Sequence, residues 1–283
     1  MSEYIKVKIK KKKVTIIDTG DWHVGSLAFH EQAAKDLVQQ ILDKGWYVRF
    51  NGDAVEAKLI DSPHFNPDGL KPRQLNAHAQ ADAFIKLFKP LCDYDRCLLY
   101  MPGNHDQYLS PNFDLCRYIA KEMGIEDRLG SYQSWSNVNG VTSHHWHGRP
   151  TMPRGAKDPV QREANQMAWL KNRLEGLAGS AQAQYMAHTH VCLVVKPREH
   201  YTLLDSGDNC KARFFHQKPV EIDGELFVPP DARWYANTGT LRRSGQFGYQ
   251  DYSEVAGYPP LPMSCVKTKI ADGRILKVEK VIL

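Results

Sequence analysis

Residues that commonly bind metal ions follow five short apolar segments of the chain. The five motifs are Asp21-Trp22-His23, Gly52-Asp53, Gly103-Asn104-His105-Asp106, His147-Gly148 and His188-Thr189-His190. Each motif alone is a weak signal. Five of them in one chain, each at a predicted strand end, rarely occur together by chance. Carboxylate and amide oxygens mixed with imidazoles suit ions such as Mn, Fe or Zn without any thiolate. The pattern therefore predicts a metal site.

Strand ends can aim these side chains because a strand fixes the direction of the backbone that follows it. The spacing of apolar residues predicts strands over residues 14–18, 46–50 and 97–101. Apolar residues at helical spacing predict a helix between the first two strands, ended by Gly45. This β-α-β order favours parallel strands with the functional residues at their carboxyl ends.

The other elements are predicted from the same periodicities and from turn residues. One helix is predicted to begin at Pro72 and another at Ser110-Pro111, where a capping serine precedes a proline. Asn139-Gly140 and Asp272-Gly273 predict hairpins. A helix over residues 161–177, a short strand over 184–187 and mainly β structure over about 212–283 complete the prediction. Because no repeat or linker divides the chain, residues 1–283 are expected to form one domain.

The composition is that of a globular protein with a hydrophobic core. Of 283 residues, 42% are hydrophobic and 24% are charged. The net charge of +5 is compatible with an anionic substrate. The six cysteines form no CxxC pair, which predicts free thiols and a reducing compartment. The chain lacks a signal-like segment and a run of about 18 apolar residues, so we expect a cytoplasmic protein without membrane association.

A run of lysines extends from Lys6 to Lys13 and at first alternates with valine and isoleucine. One interpretation is an edge strand whose lysines are solvated. The other is contact with the phosphate backbone of a nucleic acid. Both interpretations stay open at the level of the sequence.

The five motifs, taken in this order, resemble those of the calcineurin-like metallophosphoesterase superfamily. The resemblance covers residues 21–190, and the C-terminal third is similar only as generic β structure. It implies an α/β fold in which two mixed sheets form a four-layer α/β/β/α sandwich. It also implies two divalent metal ions, with Mn²⁺ as the first choice and Fe, Zn, Ni or Co as alternatives.

The resemblance distributes seven ligands over two ions that share one carboxylate. One ion would be held by Asp21, His23, Asp53 and His190, and the other by Asp53, Asn104, His147 and His188. A shared carboxylate, here Asp53, reduces the repulsion between cations that lie about 3.5–4 Å apart. A neighbouring histidine, His144 or His145, is the alternative to His147.

A mechanism of phosphoester hydrolysis is implied as well. A water or hydroxide between the two cations attacks phosphorus in line with the leaving group. His105 is the candidate to protonate the departing alkoxide. Glu56 and Asp106 are the two candidates for the carboxylate that orients this histidine.

Three departures from the protein Ser/Thr phosphatases narrow the substrate class. Ala57 stands where those enzymes carry an arginine that clamps phosphate, Asp106 where they carry glutamate, and His190 where they lack histidine. These features resemble the phosphodiesterase and nuclease branches of the superfamily. A diester carries less negative charge than a monoester, which suits a site without that arginine.

Several hypotheses about the substrate follow. Arg149, Arg154 and Arg242 are candidates for substrate binding, with solvated surface positions as the alternative. The leading hypothesis is a phosphodiesterase that acts on DNA or RNA. The alternatives are a hydrolase of small nucleotides or other phosphate esters, including monoesters, and a metal-binding scaffold without catalysis. The chain is expected to be a monomer or a homodimer.

Overall fold

The core of the molecule is built on two mixed β-sheets. The computed structural model describes residues 3–58, 67–107, 113–149, 151–205, 207–244 and 259–283. Within these ranges the chain is mixed α/β, with fifteen strands and four α-helices. The strands are β1 (Glu3–Val7), β2 (Lys13–Thr19), β3 (Tyr47–Asn51), β4 (Cys97–Met101), β5 (Gln133–Val138), β6 (Val141–Trp146), β7 (Ala183–Met186), β8 (Cys192–Val195), β9 (Glu199–Asp205), β10 (Cys210–His216), β11 (Val220–Ile222), β12 (Glu225–Phe227), β13 (Trp234–Thr238), β14 (Ser264–Ala271) and β15 (Arg274–Ile282). The helices are α1 (Glu31–Lys44), α2 (Ala77–Asp93), α3 (Leu115–Met123) and α4 (Pro159–Leu174).

The first sheet has five strands in the order β15-β14-β2-β3-β4. Strands β2, β3 and β4 are parallel, whereas β14 is antiparallel to both β2 and β15. The predicted parallel β-α-β arrangement is therefore confirmed. Helices α1, α2 and α3 cover this sheet, and one cluster joins Leu37, Phe84 and Ile119 of the helices to Phe50 of β3. The carboxyl ends of β2, β3 and β4 lie side by side as a result.

The second sheet has six strands in the order β1-β5-β6-β7-β13-β8. Strand β6 is antiparallel to β5 and parallel to β7, which is parallel to β13 in turn. Helix α4 packs on this sheet through Leu170 and Leu174, which join Met186 and Tyr235 in one cluster. The carboxyl ends of β6 and β7 therefore point the same way.

The two sheets contact each other through an apolar cluster and through a hydrogen bond from a buried ion pair of the first sheet. The cluster includes Ile16 and Leu98 of the first sheet with Val138 and Val141 of the second. Arg49 of β3 donates from Nε and Nη2 to the two oxygens of Asp18 at 2.6 and 2.8 Å. Its Nη1 donates to Ser136 of β5 at 3.2 Å. Because a buried charge requires a partner, this pair fixes how β2 and β3 face the second sheet.

Most predicted elements are confirmed. Gly45 follows α1 in the left-handed region, at φ 61°. The hairpins at Asn139-Gly140 and Asp272-Gly273 join β5 to β6 and β14 to β15. The prediction of mainly β structure toward the C-terminus is also confirmed. The exposed hairpin β11–β12 lies within the predicted range, whereas a second exposed hairpin, β9–β10, begins before it at Glu199.

The starts of two helices were predicted wrongly or lie outside the described residues. Helix α2 begins at Ala77 rather than at Pro72, because the side chain of Asn76 accepts a hydrogen bond from the amide of Ala79 and caps the helix. Ser110-Pro111 lies outside the described ranges. The described part of the following helix starts after Asp114, which caps it through the amide of Arg117.

The structure agrees with two expectations, namely exposed lysines at and after an edge strand and free thiols. Strand β1 lies at the edge of the six-stranded sheet, and the lysines at positions 6, 8 and 10–13 are exposed. All six cysteines are free thiols. Among the helices that the structure describes, none is long and apolar enough to cross a membrane.

Candidate metal centre

The seven expected metal ligands all follow strand ends at one edge of the two sheets. Asp21 and His23 follow β2, Asp53 follows β3, Asn104 follows β4, His147 follows β6, and His188 and His190 follow β7. Their donor atoms form groups within which all the atoms lie within 4.8 Å of one another, namely Asp21, His23 and His190 in one group and Asp53, His147 and His188 in another. These buried groups can hold a metal ion.

The first group joins the turn after β2 to the turn after β7. The Nε2 atoms of His23 and His190 lie 3.1 Å apart. Oδ1 of Asp21 lies 3.8 Å from Nε2 of His190. This oxygen is buried and accepts no hydrogen bond from the described residues. A buried carboxylate oxygen without a donor is costly unless a cation completes it, so the donor set fits a metal ion.

Asn104 lies beside the second group and adds an amide oxygen to it. Its Oδ1 lies 3.1 Å from Nε2 of His147 and 2.8 Å from Nδ1 of His188. Nε2 of His147 also lies 3.3 Å from Oδ2 of Asp53. Four neighbouring side chains thus present an amide oxygen, a carboxylate oxygen and two imidazole nitrogens to a common point, which is the donor chemistry of a first-row divalent cation.

Asp53 lies between the two groups. Its Oδ2 is 3.7 Å from Nε2 of His23 and 3.3 Å from Nε2 of His147. Its Oδ1 accepts a hydrogen bond from the amide of His105 at 2.9 Å. One carboxylate oxygen therefore faces both histidine sets, which is the arrangement that a bridging ligand requires.

The backbone at these residues is strained. Five of the ten non-glycine residues with positive φ in the described ranges belong to the expected ligand set, namely Asp21, His23, Asp53, His188 and His190, with φ from 50° to 70°. Such conformations cost about 1–3 kcal/mol each and persist where the surroundings impose them. The concentration of this strain at one cluster points to a functional site.

Two glycines allow the strands to approach closely enough for this cluster. A Cβ on Gly103 would lie 2.0 Å from Oδ1 of Asp53, and a Cβ on Gly52 would lie 2.5 Å from Nδ1 of His147. Neither contact is sterically possible. Glycine is thus required at both positions by space, and at Gly52 also by a φ of +94°.

Polar contacts behind the cluster orient its imidazoles. Nδ1 of His147 lies 2.8 Å from the carbonyl oxygen of Asn51, so Nδ1 donates and Nε2 faces the cluster. Nδ1 of His23 lies 3.0 Å from Oε2 of Glu56, which directs its Nε2 inward in the same way. The alternatives to His147 are placed elsewhere. His145 contacts Asn51 and Ser136 through its two nitrogens, and the ring of His144 packs against Trp135.

Electrostatic effects shift the pKa values of the two carboxyl groups of the cluster in opposite directions. Burial raises the pKa of Asp21 well above its usual value, and the neighbouring Asp53 adds to this effect. Burial alone would also raise the pKa of Asp53, but the charges of His147 and His105 outweigh it and hold the pKa well below its usual value. Burial lowers the pKa of His147, yet Asp53 and Asp21 overcome that effect and raise it to about 9.

The other three imidazoles of the cluster favour the neutral form that a metal requires. Burial lowers the pKa of His23 to about 4 and that of His188 to about 4. Burial and the neighbouring His23 hold the pKa of His190 well below its usual value. Neutral imidazole is the ligand state, so these positions need no proton release before they bind a cation.

His105 lies at the rim of the cluster. Its Nδ1 is 2.8 Å from the main-chain oxygen of Glu56 and 3.9 Å from Oε1 of the same residue. A carbonyl oxygen only accepts, so Nδ1 donates, and Nε2 is the nitrogen that can exchange a proton. Its ring also packs edge-on against that of His23, with centroids 4.6 Å apart.

The two candidate carboxylates differ in what they contact. Glu56 reaches both His23 and His105 and pairs with Lys58 at 2.8 Å. Asp106 instead accepts hydrogen bonds from the amides of Gly103, Ala54 and Val55. It ties the turn after β4 to the turn after β3, and this placement does not support it as the group that orients His105.

The three candidate arginines have different surroundings near the cluster. The charge of Arg242 acts on Asp21, Glu56 and His190, lowering the pKa of each, so its guanidinium lies near the first group. Nη2 of Arg154 donates to the carbonyl of Thr189, between the two histidines of the last motif. The guanidinium of Arg149 lies 5.7 Å from the ring centroid of Tyr132, which itself packs against His147.

Several residues outside the expected ligand set position the cluster. Thr240 donates to the carbonyl of Asp21 at 2.6 Å, and Asn237 donates to the carbonyl of Ala187 and to Thr189. The segment 237–240 therefore returns to the site from the end of β13. Its Asn-Thr-Gly-Thr sequence was a visible signal, whereas nothing in the sequence marked Lys58 as the partner of Glu56.

The chain matches no family model, and no curated protein matches it significantly.

Proposed function

We propose that the chain is a metal-dependent phosphodiesterase of the calcineurin-like superfamily that acts on nucleic acid. The observation that carries the proposal is the position of Asp53, whose Oδ2 faces His23 on one side and His147 on the other. A single carboxylate between two sets of neutral or ion-paired histidines is the arrangement of a dinuclear site.

The arrangement of sheets and helices supports membership of that superfamily. The two mixed sheets contact each other through their apolar faces, with α1, α2 and α3 on the outside of one and α4 on the outside of the other. We infer that these elements form a four-layer α/β/β/α sandwich. All expected ligands then lie at one end of it.

Seven side chains would hold two divalent cations. Asp21, His23, Asp53 and His190 would hold one, and Asp53, Asn104, His147 and His188 the other. Mn²⁺ suits the mixture of oxygen and nitrogen donors, with Fe, Zn, Ni or Co as alternatives. When bound, the two cations would supply Lewis-acid activation of water and neutralise charge on the phosphate.

His105 would supply the proton that the leaving group needs. The Glu56 carbonyl holds Nδ1 of His105 as a donor, so Nε2 is the nitrogen that would deliver a proton, and His105 would act as an acid in its imidazolium form, with protons on both nitrogens. The Glu56 carboxylate would hold His23 in the orientation that a ligand requires. It would thus position the site without contacting the substrate.

The substrate preference rests on what surrounds the cluster. Ala57 is buried beside the site, so the arginine clamp of protein phosphatases has no counterpart at this position. The charge of Arg242 lowers the pKa of Asp21 and of His190, so Arg242 lies near the first group. It is the strongest candidate for contact with the phosphate. A site without that arginine clamp suits the single charge of a diester better than the two charges of a monoester.

Hydrolysis of chromogenic phosphate esters tests the proposal. Purified protein with Mn²⁺ should hydrolyse bis(p-nitrophenyl) phosphate faster than p-nitrophenyl phosphate. Asp53→Asn and His105→Ala should each lower diester turnover by about 10²–10⁴-fold. His144→Gln is the matched control, because His144 is a buried histidine of β6 that packs against Trp135 rather than the cluster.

Each contrary outcome would favour a different alternative to the proposed function or remove one assigned role. Faster turnover of the monoester would contradict the diesterase assignment and favour a phosphatase. Absence of turnover with either ester, together with two bound metals, would favour the scaffold hypothesis. Equal losses in His144→Gln and His105→Ala would contradict the role of His105.

A further inference from the structure

The N-terminal segment has two faces of opposite character. Ile5 is buried, and Val7 and Ile9 pack against the apolar clusters beneath them. The alternate residues are exposed and comprise Tyr4, Lys6, Lys8 and Lys10. Because successive side chains of an extended chain point to opposite sides, burial of the apolar residues forces the tyrosine and lysines outward together.

This segment is held in place beyond the end of β1. The amide of Ile9 donates to Oδ1 of Asn139 at 2.8 Å, and Nδ2 of Asn139 donates to the carbonyl of Lys11 at 3.0 Å. One asparagine in the β5–β6 turn thereby fixes the backbone on both sides of Lys10. The lysines are presented from a defined backbone rather than from a loose terminus.

The segment lines a groove of about 700 Å³, to which its exposed residues contribute together with Val7 and Ile9. Five lysines contribute to it, namely Lys6, Lys8, Lys10, Lys11 and Lys12, together with Tyr4. Asp272 is the only acidic residue among the described residues that line it. None of these five lysines forms an ion pair with a residue in the part of the chain that the structure describes. The groove is therefore strongly cationic and open to a polyanion.

We propose that this groove, the lysine groove, binds single-stranded nucleic acid. A cationic groove that follows a phosphate backbone, with an aromatic side chain on which a base stacks, is the combination that single strands require. Tyr4 is 56% exposed and lies on the same face as the lysines. The concave shape favours a strand over a membrane surface, which would need the lysines on a flat or convex face.

The lysine groove is remote from the metal centre. It lies at the Asn139-Gly140 and Asp272-Gly273 turns, whereas the expected ligands follow the opposite ends of β2 and β6. The six residues of β6 span roughly 20 Å. Binding in the groove thus requires neither metal nor hydrolysis, and it can be tested even if the proposed phosphodiesterase activity fails.

Fluorescence anisotropy with a labelled 20-nucleotide oligo(dT) tests the proposal, in EDTA so that the probe stays intact. The variant Lys8→Gln/Lys10→Gln/Lys12→Gln should bind about tenfold or more weakly at low salt, with the slope of log K against log salt reduced by about 2. Tyr4→Ala should weaken binding about fivefold or more and affect a DNA duplex less. The matched control, Lys44→Gln/Lys86→Gln/Lys121→Gln, removes the same charge from exposed positions on α1, α2 and α3 and should stay within about twofold of the wild type.

Several results would overturn the proposal. Equal losses in the two triple variants would show a general charge effect without a groove. A Tyr4→Ala loss that is no greater for the single strand than for the duplex would remove the stacking contact. Binding to phosphatidylserine vesicles that exceeds binding to the oligonucleotide, and is lost in the Lys8→Gln/Lys10→Gln/Lys12→Gln variant, would assign the groove to a membrane instead.

Discussion

The Nε2 atoms of His23 and His190 lie 3.1 Å apart, although 167 positions separate the two residues in the chain. Nδ1 of His23 faces Glu56, so its Nε2 presents a lone pair toward His190. Both imidazoles have a pKa well below the ordinary value because they are buried. Two neutral nitrogens that converge beside the buried carboxyl group of Asp21 form a donor set that could hold a metal ion.

The first prediction concerns the independence of the two groups. His190→Ala removes a donor that the second group does not use, so this variant should bind one Mn²⁺ ion fewer per chain and keep the other. Metal analysis after gel filtration would measure this. Loss of both ions, or of neither, would contradict the division of ligands between two sites.

The second prediction concerns Glu56 as a positioning residue. Glu56→Gln removes the negative charge beside Nδ1 of His23 while keeping the size of the side chain. Such changes behind a ligand typically weaken metal affinity about 10–100-fold. We expect Mn²⁺ to bind Glu56→Gln more weakly and turnover to recover at high Mn²⁺.

Lys58→Gln is the control for Glu56→Gln. It removes the ion pair to Oε1 but leaves the contact between Oε2 and His23. Its Mn²⁺ affinity should change less than that of Glu56→Gln. The same Mn²⁺ affinity in Glu56→Gln and the wild type would contradict the positioning role.

The third prediction concerns the buried pair between the sheets. Arg49→Met leaves the buried carboxyl group of Asp18 without its cationic partner, which should lower the free energy of unfolding by about 3–5 kcal/mol. Asp18→Asn/Arg49→Met removes the second charge and should recover part of that loss. Urea unfolding of the three proteins would measure the effect. A double variant as unstable as Arg49→Met would contradict the account, because its cost would then come from packing alone.

The fourth prediction concerns pH and His144. Burial lowers the pKa of His144 to about 4, below its ordinary value of 6.5. Between these values the unfolded chain binds more protons than the folded chain, so the stability falls as the pH falls. At 1.36 kcal/mol per pKa unit, this residue should contribute a loss of about 2 kcal/mol between pH 7 and pH 5. His144→Gln should lose correspondingly less stability over that interval. Parallel stability curves for His144→Gln and the wild type would contradict the prediction.

Local signals in the sequence predicted much of the fold. Gly45 and Asn139-Gly140 mark an element end and a turn by conformations that few other residues adopt, and both features are present. Pro72 predicted the start of α2 wrongly. Proline and asparagine are both signals of a helix start, and the helix begins after the capping Asn76. Periodicity cannot decide between two such nearby starts.

The sequence predicted the ligands of the candidate site and one residue that positions them, Glu56, but not the other residues that support them. Asp21, Asp53 and His147 were marked by their positions after strands, and the structure brings them together. The contact from Thr240 to Asp21 spans 219 positions, and only the folded chain reveals it. The same holds for the role of Asp106, since its hydrogen bonds go to backbone amides that carry no sequence signal.

Titration of the metal-free protein with Mn²⁺ tests the dinuclear centre most directly. The account predicts two ions per chain in the wild type. Asp53→Asn, which alters the one carboxylate that faces both histidine sets, should bind both ions at least about 10–100-fold more weakly. His144→Gln should bind two ions as the wild type does. Fewer than two ions in the wild type, or unchanged binding in Asp53→Asn, would contradict a two-metal centre built around this residue.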